Sequence, residues 1–414
     1  MVGYKQVICG LLLTTFSGLI EAQNNTNSPY TRYGFGVLSD QSFGNSKGMG
    51  GVSLGLRDGS QINVSNPASY TAIDSLTFLF EGGITLQNTN FGDGNTKMNA
   101  KNSSFDYIAM QFRLNKHFAM SAGFLPFSNV GYNFGASETK ADYTEYNSFT
   151  GEGGLNQIFA GVGYKIVENF SIGANVSYLF GDIKHQSKTS FSDGTTNSTI
   201  NSTTKIEEMS VHNYKLDFGA QYTQYFNEKH SATLGVVYSL KHSLNSDAYK
   251  YTGSTVTRID TISNGFELPH LFGIGITYMY DKRLTVGFDY SFQKWSKARF
   301  YDTYNNLSDR SKYSIGAEYI PSLTNRNYFS RVKYRVGGYY SDTYAKINGQ
   351  NAAREYGISF GFGLPVFSSK SLLSITGQYV KITPIAKGML DENYLKLSIG
   401  LTFNERWFMK WKVE

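Results

Sequence analysis

The feature that most constrains this chain is a long, strict alternation with a period of two. In Leu284 to Gln293 one face carries Leu284, Val286, Phe288, Tyr290 and Phe292, and the other carries Thr285, Gly287, Asp289, Ser291 and Gln293. Phe170 to Gly181 splits the same way, and Leu395, Leu397, Ile399, Leu401 and Phe403 oppose Lys396, Ser398, Gly400 and Thr402. Successive side chains of a strand point to opposite faces, so each segment separates two environments. The second face is small and mostly neutral, which suits a crowded lumen better than an open aqueous surface.

About fourteen such segments occur, centred near residues 81, 109, 123, 161, 175, 216, 238, 274, 289, 316, 337, 358, 375 and 398. Short connections (115–116, 167–169, 226–230, 281–282, 367–370) take turns with longer polar ones (87–102, 128–154, 182–207, 245–267, 299–308, 343–351), and 321–331 is the one short-side connection that runs long. This rhythm is that of outer-membrane barrels, whose periplasmic turns are short and whose extracellular loops are long. The fold expected is therefore all-β: a membrane-spanning antiparallel β-barrel of about fourteen strands in the outer membrane of a Gram-negative cell, with both termini periplasmic.

The composition agrees, with 43 glycines, 31 tyrosines, 30 phenylalanines and only 17% charged residues in 414. Residues 1–22 read as a signal peptide, with Lys5 before the apolar run from Val7 to Ile20 and Ile20-Glu21-Ala22 as the cleavage site. The only cysteine, Cys9, lies in that segment, so the mature chain offers no disulfide, thiolate ligand or thiol nucleophile. The net charge of +6 is spread along the chain, which argues against a nucleic-acid partner.

Chemistry is offered and withdrawn. Gly357-Ile358-Ser359-Phe360-Gly361 fits the serine-hydrolase elbow, but a strand continues beyond it and no histidine follows His270. The histidines at 117, 185, 212, 230, 242 and 270 show no metal-ligand spacing. No catalytic residue, metal or cofactor is expected, and the chain is not expected to be an enzyme.

Residues 23–74 precede the first strand. They carry Phe35, Phe43, Met49, Val52, Leu54, Leu56, Ile62 and Val64, too apolar for a disordered tail, and a fourteen-stranded barrel is wide enough to hold them. Glycine-lined wall positions such as Gly161, Gly163, Gly357, Gly361 and Gly363 would let such a plug approach closely. The run Gly50-Gly51-Val52-Ser53, then Arg57-Asp58-Gly59, then Val64-Ser65-Asn66-Pro67-Ala68 resembles the N-terminal hatch of the FadL family of long-chain fatty-acid and aromatic-hydrocarbon transporters. Residues 154–181, 268–296 and 313–321 are similar to later strands of that family, so the likeness spans most of the mature chain. Ser69-Tyr70 after the Asn-Pro-Ala element and the ending NERWFMKWKVE depart from its pattern.

The resemblance implies a hatch at 23–74 and a barrel at 75–404, while Trp407, Phe408 and Trp411 among Arg406, Lys410 and Lys412 make the extension at 405–414 an expected interfacial anchor on the periplasmic rim. It implies passive uptake of hydrophobic compounds, fatty acids or hydrocarbons, with gate or ligand contacts at Asn66, Pro67, Ala68, Met49 and Phe43, and lateral release into outer-membrane lipid at a kinked third strand. Pro126 lies in that strand and cannot donate to a ladder. The alternative expectation is a structural or docking barrel that binds another envelope or secreted protein through its long loops.

Overall fold

The computed structural model describes residues 26–92, 97–140, 143–192, 201–253, 258–366, 371–385 and 388–406. The signal-peptide expectation, the 367–370 turn and the tryptophans of the C-terminal extension lie outside these residues. Fourteen strands form one closed antiparallel barrel: β1 Thr77–Gly92, β2 Lys97–Arg113, β3 Phe118–Thr139, β4 Thr144–Val167, β5 Phe170–Ser192, β6 Asn201–Tyr225, β7 His230–Ser239, β8 Leu271–Tyr280, β9 Leu284–Gln293, β10 Arg310–Tyr319, β11 Lys333–Asp342, β12 Ala353–Pro365, β13 Leu372–Pro384 and β14 Asp391–Arg406. Closure is made by β1 on β14, from Thr77↔Arg406 to Gly92↔Asp391. Each of the fourteen centres read from the alternation falls in its own strand.

The alternation has its expected physical cause. Phe272, Ile274 and Ile276 of β8 are exposed on the outside, as are Val286 and Phe288 of β9, whereas Thr277, Thr285 and Asp289 are buried inside. An outward apolar band with no water-accessible ladder edge is what a bilayer requires of a strand protein. Among the described residues no helix is long and apolar enough to cross a membrane.

Several stretches expected as loops are strands. β3 to β6 run for 22 to 25 residues, against 10 for each of β7 to β11, and β3–β4 and β5–β6 remain paired almost to their tips. About ten residues suffice to cross a bilayer, so the surplus stands above the rim as a wall. Two further strands, Ser246–Gly253 and Arg258–Ser263, extend that wall beyond β6. Their inner face buries Ile183, Met209, Val211 and Ala248 in an apolar cluster, but polar residues such as Lys184, Lys188, Thr189 and Glu207 interrupt the alternation, so it did not reveal them.

The hatch lies inside the barrel. Its body runs from Phe43 through a short helix, Gly44–Gly48, to a 3-10 turn, Pro67–Ala72. Close approach depends on missing side chains: a Cβ on Gly337 would sit 2.1 Å from the Met49 carbonyl carbon, and one on Gly173 would sit 2.4 Å from that of Pro67. Gly161, Gly163 and Gly361 likewise face the hatch, while Gly357 and Gly363 face the wall side chains Tyr339 and Arg335. Residues 26–42 form an arm that climbs to the opposite end of the lumen, where Ser28 bonds Glu392 at the start of β14 and Phe35 packs among Phe266, Trp295 and Phe300. The first described residues therefore lie at the long-loop end, although β1 begins and β14 finishes at the short-turn end.

Candidate functional site: a lateral slot and the chamber behind it

β2 pairs with β1 from Phe78↔Phe112 up to Gly92↔Lys97, but with β3 only between Ile108↔Phe124 and Arg113↔Ala119. β3 continues beyond Phe124 to Thr139, paired on its other side with β4. Above the Ile108–Phe124 rung the two strands part, and the wall has a slot. Pro126 stands just above this rung, and a bulge follows it, with Phe127 skipped between Pro126↔Asn156 and Ser128↔Leu155.

The bend is reinforced by three glycines across neighbouring strands. Gly153 (φ 105°), Gly154 (φ 145°) and Gly181 (φ 147°) hold backbone angles that side chains rarely adopt. A Cβ on Gly154 would meet the Ser128 carbonyl at 2.4 Å. The pair Gly153-Gly154 inside an otherwise alternating strand was the sequence signal for this bend.

The arm fills the lower part of the slot. Val37 and Leu38 form a two-residue antiparallel rung on β3, Val37↔Asn129 and Leu38↔Ser128. The Ser39 N–H donates to the Phe127 carbonyl at 2.9 Å, and Gln41 Nε2 donates to the Pro126 carbonyl at 3.1 Å. Thr31 and the Gly131 backbone complete the contact.

Behind the slot is a chamber of about 330 Å³. On the slot side it meets Val37, Leu38, Phe105, Pro126 and Phe127. Elsewhere its wall is charged. Lys47 Nζ lies 2.5 Å from Asp106 Oδ2, Lys215 Nζ lies 2.6 Å from Asp217, and Tyr339 donates to Glu355 at 2.5 Å. Lys312 Nζ is 3.8 Å from Asp40 of the arm. Burial alone would raise the Asp40 carboxyl, but the ammonium groups of Lys312 and Lys47 and the Ser42 N–H bring it below its ordinary value.

The residues singled out from the sequence divide cleanly. Pro126 borders both slot and chamber. Asn66, Pro67, Ala68, Met49 and Phe43 do not border the chamber; they hold the hatch body to the wall. Asn66 caps the Pro67–Ala72 turn and donates to the Leu54 carbonyl at 2.8 Å, and Phe43 stacks on Tyr107 with ring centres 3.8 Å apart. Ser359 of the G-x-S-x-G motif is one more anchor, accepting from the Gly50 N–H and donating to the Gly48 carbonyl. Among the described residues no group of three His, Cys, Asp or Glu could hold a metal ion. The charged chamber residues escaped the sequence reading because most are isolated charges on inward faces: Lys47 meets Asp106, and Lys312 meets Asp40, only through the fold, and Lys215 and Asp217 sit two apart on one strand with nothing to mark them as a pair.

Solved structures share this architecture. The CymD monoaromatic hydrocarbon channel is 16% identical with a TM-score of 0.56, covering 90% of this chain and 100% of its own. The toluene transporter TodX of Pseudomonas putida is 14% identical with a TM-score of 0.57, and a FadL homologue of Pseudomonas aeruginosa is 14% identical with a TM-score of 0.55, each with the same coverage. No curated protein matches the chain. The barrel is thus of the FadL type, as the hatch motifs implied, and the family model that describes the sequence itself spans residues 3–414: the chain belongs to the BamG family.

Proposed function

We propose that the protein is a passive channel of the outer membrane for hydrophobic or amphiphilic small molecules, with the hatch as gate and the slot between β2 and β3 as a sideways exit into lipid. The short-turn end faces the periplasm in this reading, following the usual disposition of outer-membrane barrels. The observation that supports it is that the chamber is lined by Phe105, Pro126 and Phe127 beside the place where the β2–β3 ladder ends, with Val37 and Leu38 of the hatch arm paired there to β3. A molecule leaving there need cross neither the bolted hatch body nor the periplasmic mouth. The structural neighbours, a monoaromatic hydrocarbon channel and a toluene transporter, favour the same class of cargo. Asn66, Pro67, Ala68, Met49 and Phe43 act in it as the fixed seat of the gate, and Pro126 as the start of the exit.

The test is uptake into vesicles carrying the purified barrel, with toluene and dodecanoate as cargo and a disaccharide as control. Faster entry of the first two than into vesicles without protein supports the channel, and equal rates overturn it.

A second reading, a docking barrel for another envelope protein, is favoured by the paired wall above the rim, whose strand Arg258–Ser263 has a ladder partner on one side among the described residues. Mass spectrometry of the gently purified barrel separates the two: a stoichiometric protein with an empty chamber supports docking, and a stoichiometric small molecule supports the channel.

A further inference from the structure

The chamber's charges are not distributed as a hydrocarbon conduit would need them. Lys47, Lys215, Arg310, Lys312 and Lys396 border it, against Asp40, Asp106, Asp217, Asp289 and Glu355. Lys47–Asp106 and Lys215–Asp217 are closed pairs, and Asp289 is occupied by the Ser53 and Leu54 N–H groups of the hatch. What remains is a cationic wall of Arg310, Lys312 and Lys396 facing Asp40 and Glu355. Arg310 uses only Nε, on Ser341, and Lys396 has no hydrogen bond or ion pair among the described residues. The carboxylate paired with Lys312 comes from the arm, and not from the wall.

Asp40 also sits between the residues that hold the arm in the slot, Ser39 on Phe127 and Gln41 on Pro126.

Charge balance then selects the cargo. An anion alone would leave Asp40 and Glu355 without a cation in a protein-lined chamber, where an unpaired charge costs more than in bulk water. A bare hydrocarbon would strip hydration from the wall and return nothing. A head carrying both signs places its anion on Arg310 and Lys312 and its cation on Asp40 and Glu355, leaving the sum unchanged. Its tail then lies against Val37, Leu38, Phe105, Pro126 and Phe127 at the slot.

We infer that the chamber takes a single-chain amphiphile with a zwitterionic head, whose anionic part replaces Asp40 on Lys312 and so releases Val37–Leu38 from β3. This names the cargo class of the channel proposed above and rests on that slot and chamber.

The test uses the full barrel in detergent-free polymer discs, with dodecylphosphocholine, dodecanoate and dodecane as probes. Binding is read by native mass spectrometry, and the rung by the rate of disulfide formation in a Leu38→Cys/Ser128→Cys pair. The wild type should bind dodecylphosphocholine about tenfold more tightly than dodecanoate, and Lys312→Met should lose about that factor, as for one charge-assisted contact. Asp40→Asn, which removes the anion but keeps the shape, should reverse the preference toward dodecanoate. Dodecylphosphocholine, but not dodecane, should slow the disulfide. Equal binding of the three probes, or unchanged preferences in Lys312→Met and Asp40→Asn barrels that keep their heat-modifiable mobility, would overturn the inference while leaving vesicle uptake untouched. Normal zwitterion binding without uptake would do the reverse.

Discussion

The two halves of the hatch are held in contrasting ways. The body is bolted around its circumference: Asp289 accepts from Ser53 and Leu54, Gln221 donates to the Leu54 and Leu56 carbonyls, Thr277 to Gly55, Gln378 to Lys47, and Gln111 to Tyr70. These anchors come from strands on several sides of the barrel. The arm meets the slot through one two-residue rung, a few backbone bonds and a loose ion pair. Regions that move are drawn from the weakly held parts of a fold, so the proposed channel assigns opening to residues 37–41 at the slot and sealing to the body.

The largest expected effect tests the arm. Joining Leu38→Cys to Ser128→Cys as a disulfide should bring hydrophobic uptake to background, with recovery on reduction; uptake that ignores the lock would assign the exit elsewhere. Next comes the body: Asp289→Ala strands two buried N–H groups and should cost about 3 kcal/mol, leaving the hatch roughly a hundredfold more open. Liposome swelling with a small sugar would register that leak, and a tight barrel would mean that the bolts are redundant. Asn66→Ala removes the cap of Pro67–Ala72 and should cost about 1 kcal/mol of hatch stability, read as faster amide exchange confined to residues near the turn. The smallest effect is acid. Asp58 is held at about 2: burial opposes this, while Lys333 and the Ser60 donors lower it. A depressed carboxyl contributes stability above its unfolded value and loses it as pH falls through the folded one. The body should resist protease at pH 4 and loosen near pH 2; loosening at pH 4 would show that Asp58 is not among its bolts.

The fold was legible because a bilayer enforces alternation residue by residue, as in Leu284 to Gln293. The hatch was legible through its apolar residues and glycines. The wall above the rim was not, since Thr144 to Glu152 and Lys184 to Ser192 are mostly polar on both faces, with only a few aromatic residues such as Phe149 and Phe191 to break the run. Nor was the chamber: Lys312 finds Asp40 only after the arm has folded back across the lumen, and no local spacing encodes that meeting. Pro126 lies beside the last β2–β3 rung, but where those strands cease to pair is a property of register, which no local residue displays.

The bond between Ser28 and Glu392 bears on the order of assembly. These residues are 364 positions apart, and they join near the seam where β14 meets β1. A ring that closed first would have to admit the arm through a finished mouth already crowded by Trp295, Phe266 and Tyr344. Cyclisation around a preloaded segment avoids that passage, with the last strand made meeting one of the earliest side chains as it arrives. Nascent barrels carrying Ser28→Ala would then be expected to close more slowly rather than to leak.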